Sequence, residues 1–493
     1  MSMKKKCFLS LLLAVNVFCC MTANAAVVYG DLNSDGSVNA LDIASMKSYL
    51  LGSTTLSSTI TADLNGDSSV NALDFALLKK YLLGAITSFP VQTTTPPGGG
   101  PGGPGGGPGG TIDQGTYANL VTSDATGVTY ESKGNSENAV RVDGKAVTLT
   151  NVKINKTAGD PASGDNSNFY GNNAGLLAMN KATVTLNKAE VTTTTKGANG
   201  IFSYDNGTTV NVNDSIIRTT SDSSGGIMVA GGGTMNINNC DIQTQGASSA
   251  PLRTDRGGGT LIVNGGKYVS NGGGSPAIYC TANITVNDAT LTANTSEAVV
   301  VEGKNSVSLK NCAVSGKMIK DNVENLQSVM IYQSMSGDAE DGQSSFTMEG
   351  GSLTSNNGDM FYVTNTSCAV KLKGVSLIPY NDVLLKVVGN DGRTNWGTVG
   401  KNGGTCVFTA DTQKMDGKII VDKISKLTLS LTNGTNFTGT INNQNEGGTV
   451  SVNIDDTSTW ILTGNVYLTG LTGNKDNIKT NGYNVYVNGS IVK

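Results

Sequence analysis

The chain contains no histidine among its 493 residues. That excludes Ser-His-Asp and Cys-His catalysis, His-ligated zinc and imidazole acid–base chemistry. What remains is the chemistry of carboxylates, Lys, Arg, Tyr or Ca²⁺. Aromatic residues are scarce at 5%, and charged residues make up only 15%. The formal net charge of −4 offers no basic surface for nucleic acid or an anionic membrane. Beyond the N-terminus no apolar run is long enough for a membrane-spanning helix. The N-terminus itself reads as a secretory signal peptide over residues 1–25: basic "MSMKKK", apolar "CFLSLLLAVNVFCCM", then the small-x-small site Ala23-Asn24-Ala25. A soluble, extracellular protein is expected. Cleavage would leave Cys240, Cys280, Cys312, Cys368 and Cys406, an odd number that cannot all pair internally. They read best as small buried apolar residues.

What is present in density is side-chain oxygen, in one repeated pattern. "DLNSDGSVNALD" places Asp31, Asn33, Asp35, Ser37, Asn39 and Asp42 at loop positions 1, 3, 5, 7, 9 and 12. A twelve-residue loop so spaced wraps about six to eight oxygens around Ca²⁺, position 7 giving its backbone carbonyl. Gly36 supplies the sharp turn at position 6. "DLNGDSSVNALD" repeats the set as Asp63, Asn65, Asp67, Ser69, Asn71 and Asp74, with Ser68 at the turn. A Ser forced to positive φ costs on the order of 1 kcal/mol, so the second site is expected to be the weaker. Each loop runs into a helix, "ALDIASMKSYLLG" or "ALDFALLKKYLLG", with Gly52 and Gly84 as stops.

From about Val27 to Gly84 this pattern closely resembles a type I dockerin. The duplicated loop, the Asp at position 12 and the Lys-x-Tyr-Leu-Leu-Gly ending all match. The resemblance implies a module over residues 26–90 that binds Ca²⁺ at two sites and plugs into the cohesin of a scaffoldin. It also implies the cohesin-reading residues: Ala40, Leu41, Ala72 and Leu73 at positions 10 and 11, with Lys47, Lys79 and Lys80 further along the helices. The matching Ala-Leu pairs suit a cohesin with an apolar pocket.

"TTTPPGGGPGGPGGGPGG" has no apolar residues and reads as a linker over residues 91–110. The chain then repeats itself. "TVTLNKAEV", "TVNVNDSII", "TMNINNCDI", "TLIVNGGKY", "ITVNDATL" and "SVSLKNCAV" align at Val184, Val210, Met235, Leu261, Ile284 and Val307, in steps of 26, 25, 26, 23 and 23 residues. Alternation within each segment says strand, and a period in the twenties says stacked coils. The expected fold is a right-handed parallel β-helix over residues 111–455, with a capping segment at 456–493. Ala189, Ser215, Cys240, Gly266, Ala289 and Cys312 form a column of small corner residues. Asn187, Asn213, Asn238, Asn264 and Asn287 form an Asn ladder. Residues 158–173, 318–344 and 389–404 read as excursions from the coil. Repeat texture, "VMIYQSMSGDAE" and the "WILTG" ending resemble carbohydrate-binding β-helix proteins secreted by cellulolytic anaerobes, related by fold to pectate lyases. That resemblance transfers no catalytic motif.

Alternation points Ile201, Ile227, Leu252, Ile278 and Val299 inward. It points Phe202, Tyr204, Arg253, Asp255, Tyr279 and Glu302 outward, with Arg256 and Lys304 nearby. Aromatics, carboxylates and cationic groups on one face suit a sugar chain, so these eight are the candidate carbohydrate-binding residues. Asp255 and Glu302, two coils or roughly 9–10 Å apart, border on the spacing of an inverting hydrolase. A lyase would use Ca²⁺ with Arg256 or Lys304 as base. A solvated, ion-paired face and a purely structural or adhesive solenoid also fit. The lack of a catalytic signature favours binding of plant cell-wall polysaccharide over a lyase or hydrolase.

Overall fold

The computed structural model describes residues 29–33, 35, 37–54, 56, 61–64, 70–83, 86, 89, 112–319, 325–390 and 396–493. The expected signal peptide (1–25) and linker (91–110) lie outside the described residues. The chain divides into two compact units, Met1–Pro101 and Gly102–Lys493. No described helix is long and apolar enough to cross a membrane.

In the first unit, helix α1 (Ala40–Leu50) begins where the first oxygen-rich loop ends. Asn39 caps it, its side chain accepting from Leu41 N at 2.8 Å, while Asp42 accepts from Asn39 N at 2.8 Å. This capping box satisfies two amide groups that the first helical turn leaves free. Gly52 follows the helix at φ +71°, in the left-handed conformation that a helix stop uses. Helix α2 (Ala72–Leu82) starts in the same way after the second loop, with Asp74 accepting from Asn71 N at 2.8 Å. Met46 and Leu78 are fully buried and share a small core with Leu32, Ala62, Leu64 and Phe89. Gly30 N donates to Thr61 O at 2.9 Å, joining the start of one repeat to that of the other.

The second unit is a solenoid of three parallel sheets of 15, 14 and 10 strands. A representative coil contributes Ile201–Tyr204 to the first sheet, Thr209–Asn213 to the second and Ile216–Thr219 to the third. This is the expected parallel β-helix. The second-sheet register pairs Val184 with Val210, then Met235, Leu261, Ile284 and Val307, the residues on which the sequence repeat aligns. Inward-pointing Ile, Leu and Val from all three sheets form one continuous core. The Asn ladder is hydrogen bonded coil to coil: Asn213 to Asn187 at 2.9 Å, Asn238 to Asn213 at 2.8 Å, Asn264 to Asn238 at 3.2 Å and Asn287 to Asn264 at 3.0 Å. After each ladder residue the chain turns through positive φ, at Lys188, Asp214, Asn239, Gly265 and Asp288. The small column follows because the corner is tight. A Cβ on Gly266 would lie 2.4 Å from the Cys240 carbonyl oxygen. Cys240, Cys280, Cys312, Cys368 and Cys406, the cysteines among the described residues, are buried free thiols.

Two departures matter for function. The excursion at 158–173 contains a helix, α3 (Gly164–Tyr170), with Phe169 buried. The excursion expected at 318–344 contains a coil strand, Gln327–Tyr332, paired with Val299–Glu302 and Asp359–Thr364. After it, residues 333–342 leave the coil before the strand Gln343–Glu349. Within 456–493 the stack continues, Trp460 pairing with Phe437 and with Ile478. An antiparallel pair, Tyr486 with Ile491, closes the end.

Candidate functional site

In the first oxygen-rich loop Asp42 is fully buried. Its Oδ1 accepts from Leu32 N at 2.7 Å and from Asn33 N at 3.2 Å. Asp31 Oδ1 and Asn33 Oδ1 both accept from Asp35 N, at 3.1 and 3.0 Å. Asp35 Oδ1 accepts from Ser37 N at 2.9 Å. The loop is thus folded around its own side-chain oxygens, and the helix cap residues double as loop positions 9 and 12. In the second loop Asp74 Oδ1 accepts from Leu64 N at 2.8 Å, the same bond one repeat later. Asp63, Asn71 and Asp74 are described there, whereas Asn65, Asp67 and Ser69 lie outside the described residues. No three acidic side chains converge among the described residues. A bound cation would therefore draw on amide, hydroxyl and carbonyl oxygens as well, which is the hard, mixed donor set that Ca²⁺ accepts.

On the solenoid, the outward column of the first sheet runs Leu177, Phe202, Met228, Arg253, Tyr279, Val300, Met330 and Tyr362 in register. The expectation that this column is open to solvent does not hold. Phe202 is fully buried in a cluster with Leu177 and Met228, and Gly171, at the end of α3, packs on its ring. Tyr204 lies edge-on to Tyr170 of α3, ring centroids 5.8 Å apart. Phe202 therefore drops out as a sugar-stacking residue, because the chain at the end of α3 already covers its ring.

Further along, the charged members of the face satisfy one another. Arg253 pairs with Asp255 at 2.5 Å and lies 5.5 Å from the Tyr279 ring centroid. Arg256 pairs with Asp338 at 2.5 Å and sits 3.8 Å from the centre of the Phe169 ring. Glu302 Oε2 accepts from Tyr279 at 2.5 Å and from Tyr332 at 3.0 Å, and its Oε1 accepts from Ser334. Burial raises the Asp255 carboxyl to about 6 against the pull of Arg253, and raises the Glu302 carboxyl against its three hydroxyl donors. Asp255 and Glu302 are both 1% exposed. The pair weighed for hydrolysis is therefore bonded inside the protein rather than presented to a substrate. Glu302, through Ser334, and Arg256, through Asp338, instead fasten the Ser334–Asp341 loop to the coil. Of the eight expected residues, Lys304 remains exposed.

The end of that loop, Asp341, lines one side of an open polar groove with a volume of about 570 Å³. Its floor is the in-register row Gln343, Ser367, Thr405 and Lys426, on four successive second-sheet strands. Gln333, which donates to Asp341 at 2.8 Å, stands on the loop side. Asn402, which accepts from Thr398 N at 2.6 Å, stands opposite beside Lys401. Sequence reasoning missed this groove. Amides and hydroxyls are common throughout the solenoid, and only the two flanking excursions signalled it.

Residues 29–83 match the Dockerin type I domain family. No curated protein and no solved structure matches the chain. Residues 29–83 are a type I dockerin domain. A dockerin binds calcium and docks onto a cohesin partner, so this is a protein of the cellulosome type. On the dockerin, Ala40, Lys47, Ala72, Lys79 and Lys80 are exposed, and Leu41 is 60% exposed despite its apolar side chain. The side chain of Leu73 lies outside the described residues.

Proposed function

We propose that the chain is a secreted cellulosome subunit whose dockerin carries two Ca²⁺ sites and whose solenoid binds plant cell-wall polysaccharide. In this reading Asp31, Asn33, Asp35, Ser37, Asn39 and Asp42 hold one ion, and Asp63, Asn65, Asp67, Ser69, Asn71 and Asp74 the other. Ala40 and Leu41, or Ala72 and Leu73, enter the cohesin pocket, with Lys47, Lys79 and Lys80 at its rim. The observation that carries the polysaccharide reading is the open groove of amides, hydroxyls and ammonium groups, walled by segments that leave the coil. Surface loops held on a rigid scaffold are where binding residues concentrate. The test is incubation of the full chain with a panel of plant polysaccharides, scoring pull-down together with reducing-end and unsaturated-uronate release. Retention without release supports a binding module. Release would make it a hydrolase or lyase, and neither retention nor release would sink the polysaccharide reading.

A further inference from the structure

The groove commits to a class of ligand. Its floor row crosses four coils, and parallel strands step by about 4.8 Å. The row is therefore about 14 Å long and follows the solenoid axis. An extended chain lying along it meets one floor residue per coil. Among the described residues the lining has no aromatic side chain, so they offer no flat stacking platform of the kind a neutral glucan ring would use. It offers instead Lys401 at one wall and Lys426 at the end of the floor. Neither pairs with a carboxylate among the described residues. Lys304 stands at the rim: a Cβ on Gly342 would come within 2.8 Å of its side chain, so the absent Cβ lets the lysine stem lie against the loop. One lining carboxylate, Asp341, opposes these cations, and its Oδ1 is already held by Gln333.

We infer that the groove binds an acidic, uronate-bearing polysaccharide along the solenoid axis, its carboxylates met by Lys401 and Lys426 and its hydroxyls by the amides. This rests on the polysaccharide-binding reading and adds its charge class and its residues. Two lysines unpaired within a protein of net charge −4 are poor counter-ions for the chain as a whole. They are well placed for a ligand that supplies its own carboxylates.

The experiment uses the full chain and three probes: polygalacturonate, the same polymer with its carboxyls methyl-esterified, and a neutral β-glucan. Binding is read by affinity electrophoresis at low and high salt. The expected result is retardation by polygalacturonate, weakened at least tenfold by esterification and by salt. Lys401→Gln with Lys426→Gln should also weaken it at least tenfold, with an unchanged thermal midpoint, and Lys426→Arg should retain it. Binding to β-glucan but not polygalacturonate overturns the acidic-ligand inference and leaves the polysaccharide reading standing. Binding to polygalacturonate that ignores both lysine changes overturns the groove as its site. Equal retention on DNA reduces the effect to general polyanion attraction and also overturns it. No retention on any glycan removes both readings.

Discussion

Truncating Arg256 to alanine is expected to release the Ser334–Asp341 loop without dismantling the solenoid. The guanidinium holds that loop through Asp338 at 2.5 Å and rests on Phe169 at 3.8 Å. The side chains of Arg256 and Asp338 are only 13% and 9% exposed, so solvent screens the pair little. Removing one partner of a buried pair costs about 3–5 kcal/mol, mostly because the other charge is left uncompensated. The lost ring contact adds up to about 2 kcal/mol. Asp338 can escape this penalty by swinging into water, so the cost should appear locally as loop opening. At about 1.4 kcal/mol per decade, a loss of about 3 kcal/mol lowers amide protection in residues 333–342 roughly a hundredfold. Hydrogen exchange of Arg256→Ala reads this directly, with the core strand Gln327–Tyr332 as internal control. Asp338→Ala should do the same, and the double variant should cost far less than the sum, with a coupling of about 1–3 kcal/mol. Unchanged protection in both single variants would refute the view that this pair fastens the loop. If the loop does open, glycan affinity should fall even though Arg256 lines no part of the groove.

Further outcomes can be measured separately. Cohesin binding by calorimetry should vanish in excess chelator. Ala40→Asp with Leu41→Asp should cost little, whereas adding Ala72→Asp and Leu73→Asp should abolish binding. The Asp255 carboxyl is raised by burial to about 6, so between about pH 4 and 6 the folded state holds a proton that the unfolded chain has lost. Its contribution therefore favours folding at low pH and is lost as pH rises, by up to about 3 kcal/mol over two units. The stability advantage of the parent over Asp255→Asn should shrink across that window, and a flat difference would sink the argument. Asn238→Ala removes ladder bonds to Asn213 and Asn264 and should cost about 1–2 kcal/mol in denaturant titration. Gly266→Ala sets a Cβ 2.4 Å from a backbone oxygen at φ +91° and should cost at least about 2 kcal/mol.

What could be read in advance was whatever repeats or is local. The oxygen-bearing residues of each loop lie within twelve residues of one another, so spacing alone was enough to propose them as ligands. The ladder and the small corner column recur once per coil, so alignment of the repeats reveals both. Alternation also assigned Phe202 and Arg253 correctly to the outer side of the sheet. It could not say what lies on top, because the covering segments occur once and have no period. The buried Phe169, in a stretch otherwise rich in Gly, Asn and Asp, was the available hint. The strand Gln327–Tyr332 escaped because all six of its residues are buried. With both faces covered there is no alternation to detect.

The ladder and the corner column have a consequence for how such a chain can change. Each coil meets its neighbours through the same few positions, so a coil can be removed from one corner to the next without disturbing register. Deleting residues 266–288 would bring Ala289 to follow Gly265, a small residue after the turn as before. The inner columns would close again, one coil shorter. The solenoid's length is therefore a matter of copy number. The groove, whose floor occupies only the four coils from Gln343 to Lys426, would keep its floor row whatever is added or lost toward the N-terminus.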